Sequence, residues 1–242
     1  MTPPHIVKAF DQELQTLTSS IGAMGDFAGA QFSDSVQALL RGDLVLAQRV
    51  IDQDRQLDAL RRDLSAAAAS VIARRQPMAT DLDEVLSDFR IVEELERIGD
   101  LAKNIAKRAT AVSSANFPLE IVEMLERLSA LAAALLKGAL ETYVTRDAEQ
   151  AIVVRQQDEE IDELHTSIFR DIVSRMTADQ SQVIDFVHLL FCAKNIERIG
   201  DHATHIAEAA YFTVTGQRPP LERRRLDQSS LTKSADTVFN VE

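Results

Sequence analysis

The pentapeptide Glu96-Arg97-Ile98-Gly99-Asp100 returns letter for letter as Glu197-Arg198-Ile199-Gly200-Asp201, 101 residues further along the chain. A second similarity, Asp54-Arg-Gln-Leu-Asp58 against Asp158-Glu-Glu-Ile-Asp162, has an offset of 104. Offsets this close require one supersecondary unit used twice, with a turn three residues longer in the first copy. The acidic pairs of the two copies must then be placed by the same geometry.

Between the repeats, apolar residues recur at spacings of three and four over long stretches. Punctuation is sparse: Arg41-Gly42-Asp43, Gln76-Pro77, Ser113 to Pro118, Thr145 to Asp147 and Thr177 to Asp179. This pattern predicts six helices over 5–41, 43–75, 80–113, 118–144, 147–176 and 180–214. They average about 30 residues, against a usual 11 or 12, and short connections between long amphipathic helices make neighbours antiparallel. Only eight Gly, six Pro, no Trp and 5% aromatic residues argue against a sandwich or barrel, which needs frequent turns and aromatic or β-branched alternation. The expected fold is all-α: two tandem antiparallel three-helix bundles over 1–115 and 116–216, followed by a flexible tail over 217–242. The tail opens on Pro219-Pro220 and loses helical periodicity, and its Arg223-Arg224-Arg225 is either solvated or a contact for a partner or an anionic surface.

A net charge of -12 repels nucleic acid phosphates, so direct nucleic acid binding is not expected. No apolar run approaches the roughly 20 residues of a membrane span, and "MTPPHIVKAF" lacks a charged region followed by an apolar one, so the expected location is the cytoplasm. Cys192 stands alone, which excludes an intrachain disulfide, and it falls on an apolar stripe as a small buried hydrophobe.

With about 100° per residue, Leu95, Ile98, Ala102, Ile105 and Ala109 form one apolar stripe, repeated as Ile196, Ile199, Ala203, Ile206 and Ala210. By the same arithmetic Glu96 and Asp100 lie about 160° and 200° from Ile98, beside Glu93 and Asn104, so the acidic face is expected to point away from the core. Lys194, Glu197, Asp201 and His205 occupy that face in the second copy. An antiparallel hairpin turning near residue 77 sets Asp54 level with Asp100 and Asp58 level with Glu96; a turn near 179 does the same for Asp158 with Asp201 and Asp162 with Glu197.

Four carboxylates at one height repel unless a cation joins them. The candidate metal ligands are therefore Asp54, Asp58, Glu96 and Asp100 in one set and Asp158, Asp162, Glu197 and Asp201 in the other. Oxygen donors suit divalent ions such as magnesium, manganese, calcium or ferrous iron, and bridging carboxylates hold more than one. The alternative is a solvated acidic face. Arg97 and Arg198 either pair with these carboxylates or carry structural salt bridges. Gly99 and Gly200 cost about 1 kcal/mol each relative to Ala within a helix, which points to close approach of a neighbouring helix or of a bound ion with its ligands, or else to local kinking.

At these residues the chain resembles the PhoU family of phosphate-transport accessory proteins. The likeness rests on "ELERIGDLAKNIA" and "NIERIGDHATHIAE" with the two Asp-x-x-x-Asp pairs upstream, and extends from His5 and "FDQELQTL" to about residue 216. It implies two three-helix bundles with metal ions or clusters at the eight carboxylates. It also implies a cytoplasmic negative regulator of phosphate uptake and phosphate-starvation signalling that links the ATPase subunit of the phosphate ABC transporter to a sensor histidine kinase. No catalytic role comes with it, and membrane association would run through partners only. Two departures stand out. His205 replaces Asn104, which either extends the second set to ions that accept imidazole, such as zinc or nickel, or is a surface histidine. Lys194 replaces Glu93 and lowers that set's negative charge.

Two rival readings keep the fold. One is a metal-free scaffold that binds partners by groove packing. The other is a carboxylate-bridged di-metal enzyme, for which Asp162-Glu-Leu-His165 is only a partial echo of the Glu-x-x-His such sites use. His5, His188 and His202 are expected to be structural or solvated. An apolar seam left by helices this long predicts a homodimer.

Overall fold

The computed structural model describes residues 4–112, 115–219 and 229. Most of the expected tail, with its three arginines, lies outside the described residues, as do Ser113 and Ser114 and the side chain of His5. The elements are α1 (Pro4–Arg41), α2 (Leu44–Arg75), α3 (Thr80–Ala111), α4 (Leu119–Thr145), α5 (Ala148–Gln156), α6 (Asp158–Ala178), a 3-10 turn (Gln180–Gln182) and α7 (Val183–Thr215). No strand occurs among the described residues.

The repeat reaches down to its turns. Gly42 adopts φ 64° and Asp43 then caps α2, its carboxylate accepting from the Leu46 N–H at 2.9 Å. At the same 104-residue offset Arg146 adopts φ 57° and Asp147 caps α5 by accepting from the Gln150 N–H at 2.9 Å. One left-handed residue followed by an aspartate thus starts the second helix of each copy, although only the first copy uses glycine for it.

The predicted helix over 147–176 is two helices. At Gln157 the backbone N–H bonds to the Val154 carbonyl at 3.1 Å, an i to i−3 bond that tightens and ends α5. Asp158, Glu159 and Glu160 then form the first turn of α6, where the helix dipole favours negative charge. The acidic run that the sequence reading placed mid-helix is an N-terminus.

Helices α1, α2 and α3 pack on one another, as do α4 to α7, and α3·α7 with α1·α4 contacts join the two bundles. Both apolar stripes are buried, from Leu95 to Ala109 and from Ile196 to Ala210. Fully burying one such aliphatic side chain is worth about 1.5–3 kcal/mol. Cys192 is buried among them, and burial pushes its thiol up to about 12. Among the described residues no helix is long and apolar enough to cross a membrane.

Candidate functional site

In the first copy the antiparallel hairpin brings Asp54 of α2 and Asp100 of α3 onto a single cation. The Lys103 ammonium donates to Asp54 Oδ2 at 2.7 Å and to Asp100 Oδ1 at 2.6 Å. Burial opposes its charge, but the bonds to Asp100 and Asp54 outweigh that and raise its pKa. Lys103 was not singled out from sequence. Its position three residues after Asp100, on the same helical face, is the signal by which the sequence could have shown it.

Around this point lie the other donors. Arg97 stands 3.7 Å from Glu96 and 3.9 Å from Asp100, both loose pairings, while Arg61 of α2 holds Glu93 at 3.1 Å. Burial first, and then the Asp100 charge, raise the Glu96 carboxyl, a sign of surplus negative charge. Asp58 is half-buried and Asn104 is exposed. Lys103→Met should cost about 1–2 kcal/mol, less than a fully buried charged hydrogen bond because Asp100 is partly exposed. Urea unfolding in chelator reads it, and an unchanged midpoint would mean that the ammonium contributes nothing.

The second copy differs. Thr204 takes the place of Lys103, its hydroxyl donating to the Gly200 carbonyl at 3.1 Å and lying 3.4 Å from Asp158 Oδ1. The expected outward acidic face is overturned here, since Asp158 and Asp162 are 1% exposed and Glu197 4%. The reason is that α7 packs against α3, α4, α5 and α6, so one apolar stripe does not exhaust its buried arc. Lys194 pairs with Glu197 at 2.8 Å, Asp201 is half-buried, and Arg198 is exposed. His205 bonds not within this set but across the bundles, to Glu94.

Both repeated glycines are sites of close approach. A Cβ on Gly99 would sit 2.0 Å from Leu57 Cδ2, and one on Gly200 3.0 Å from Ile161 Cδ1 and 3.3 Å from Asp158 Oδ1. The glycines thus let α2 and α6 lie close enough to present their aspartates to the acidic edges of α3 and α7.

A third constellation went unread. His202 Nδ1 lies 2.5 Å and His205 Nδ1 3.4 Å from Glu94 Oε2. His202 is therefore not merely solvated, and the His-x-x-His spacing in "HATH" was its legible signal. His188 pairs with Arg108 at 3.2 Å, and His165 is buried.

Residues 21–109 and 125–210 each match the family model described as the PhoU domain. The chain belongs to the PhoU family. A relative from Rhizobium meliloti, described as a phosphate-specific transport system accessory protein PhoU homolog, is 47% identical over 230 residues, covering 95% of this chain and 97% of its own. One of the same description from Caulobacter vibrioides is 42% identical over 92% of this chain and 97% of its own. The crystal structure of PhoU from Pseudomonas aeruginosa aligns with a TM-score of 0.82 at 31% identity, covering 86% of this chain and 100% of that one. The phosphate transport system regulatory protein PhoU from Streptococcus pneumoniae aligns at 0.81 and 25% identity, covering 88% and 100%. The two matched PhoU segments each contain one ERIGD motif with its upstream Asp-x-x-x-Asp pair.

The oxygen donors of both sets fit a hard divalent ion in type. In the first set two carboxylates already converge on one cationic point, so an ion there must displace the Lys103 ammonium. In the second set the corresponding position is the Thr204 hydroxyl, and Lys194 partly neutralises Glu197 from the side.

Proposed function

We propose that this chain is a regulatory accessory protein of phosphate transport, a cytoplasmic negative regulator that couples the ATPase subunit of a phosphate ABC transporter to a sensor histidine kinase. The observation that carries the reading is 47% identity along 95% of the chain to a relative described as an accessory protein of the phosphate-specific transport system. No catalytic role is proposed. Contact with the membrane runs through these partners, and nucleic acid is not bound directly.

Within this reading the eight carboxylates hold divalent ions, singly or as clusters, of magnesium, manganese, iron, zinc or nickel. A bound ion supplies positive charge that offsets carboxylate repulsion. The chain's own residues do the rest: the glycines let α2 and α6 approach, Asp54 reaches Asp100 through the Lys103 ammonium, and Asp158 lies against Gly200 of α7. Lys103 closes the first set on its own ammonium, whereas Thr204 stands at the equivalent position of the second. A homodimer is supported by apolar side chains left at the surface, such as Leu44 and Val45 at the start of α2.

Asp100→Ala with Asp201→Ala tests the reading. Bound metal should fall in the purified variant, and phosphate-starvation genes should switch on in phosphate-rich medium. Full repression with the metal demonstrably lost would leave a metal-free scaffold, and failure to bind either transporter or kinase subunits would remove the partner assignment.

A further inference from the structure

Glu94 belongs to α3, whereas His202 and His205 belong to α7, so their meeting spans the junction of the bundles. The ligand atoms of the three residues all lie within 4.8 Å of one another, and all three side chains are half-buried. Both Nδ1 atoms address the same oxygen, Glu94 Oε2, and the imidazole rings stand nearly perpendicular at 82° with centroids 6.0 Å apart. Their i, i+3 spacing puts the two rings on one face of α7.

We propose that Glu94, His202 and His205 form an interbundle site for one borderline divalent ion, zinc foremost, distinct from both carboxylate sets. Two neutral imidazoles and a carboxylate are the donor types zinc accepts, and three protein donors leave one position to water. In tetrahedral zinc, bonds of 2.0–2.1 Å set donors about 3.3 Å apart. The His205 to Glu94 separation of 3.4 Å already has that value, and the His202 to Glu94 contact of 2.5 Å opens by less than 1 Å to reach it.

The repeat itself does not demand this arrangement. At the 101-residue offset the equivalents of Glu94, His202 and His205 are Asn195, Leu101 and Asn104, a set with neither carboxylate nor imidazole. The three donors therefore occur at one of two equivalent places, where an ion would clip α3 to α7. Glu208 and Asp201 also act on His205 electrostatically; Glu208 is already bonded by Arg155 at 2.6 Å and Asp201 belongs to the second carboxylate set, so neither is counted among the donors.

The test uses the full chain stripped with chelator and titrated with zinc chloride by calorimetry, then with cobalt(II) as a visible probe. Asp54→Asn with Asp162→Asn serves as the background that silences the carboxylate sets. One zinc equivalent should remain in that background, with the intense cobalt bands of four- or five-coordination. His202→Ala and His205→Ala should each weaken zinc by more than about 100-fold, beyond the cost of losing a supporting partner. His205 is more exposed than His202, so its variant keeps the test alive if His202→Ala misfolds. Zinc and cobalt signals unchanged in a folded histidine variant, or no zinc bound by the wild type, would overturn the proposal and leave an interbundle ion pair only. These readouts need neither transporter nor kinase, so they stand or fall apart from the regulatory reading.

Discussion

Truncating Leu57 to alanine should destabilise the protein by about 2–5 kcal/mol, and adding Gly99→Val should return part of that loss. Leu57 is 1% exposed and fills the space over Gly99, where a Cβ would come 2.0 Å from its Cδ2 and 3.3 Å from Gln31 Oε1. Gly99→Val alone forces branched bulk into an occupied position, which costs about 1–3 kcal/mol. In the double variant the valine fills the cavity left by leucine, so the two losses do not add. Urea unfolding of the four proteins measures the cycle. Strict additivity would mean that Gly99 and Leu57 do not share one space, and that the repeated glycine has another cause.

The second large effect lies at the buried polar contact between bundles. The Tyr143 hydroxyl of α4 donates to Asp88 Oδ1 of α3 at 2.5 Å, beside Glu84 and Arg146, which form an ion pair of their own. Burial raises the Asp88 carboxyl from 3.8 to about 7, the Tyr143 bond and Arg146 only partly opposing it. The native state therefore holds this proton more tightly than the unfolded chain. Stability from this group is full below pH about 4 and falls as pH climbs towards 7, then levels off. A shift of this size corresponds to about 4 kcal/mol. Asp88→Asn cannot ionise and keeps an oxygen for Tyr143, so it should match the wild type at pH 3 to 4 and exceed it by a few kcal/mol at pH 8. Equal urea midpoints of variant and wild type at both pH values would refute the assignment. Burial likewise raises the Tyr143 hydroxyl, with Asp88 adding to it, so the tyrosine stays a donor throughout the range.

Much of the architecture was legible because helical periodicity is local. The stripes from Leu95 to Ala109 and from Ile196 to Ala210 are buried as read, and the levelling of Asp54 with Asp100 needed only the position of the Gln76-Pro77 turn. The break at Gln157 was missed because nothing in its composition marks it; neither Gly nor Pro lies near, and the ladder tightens by a single backbone bond. The exposure of the second acidic set was misjudged for a different reason. An apolar stripe locates one packing face, but α7 has four helical neighbours, and polar residues such as Asp158, Thr204 and Glu197 line what lies between them.

The sequence by itself determined an all-α chain built twice from one unit, with the acidic pairs of each copy on facing helices at one height, because repetition, period and turn spacing act within a hundred residues. Tertiary structure alone decided which cation the first set already owns, how deeply the second is buried, and that Glu94 meets His202 and His205. The last pairing joins residues 108 and 111 positions apart. Such contacts depend on how one bundle is docked against the other, and no periodicity along a helix encodes that angle.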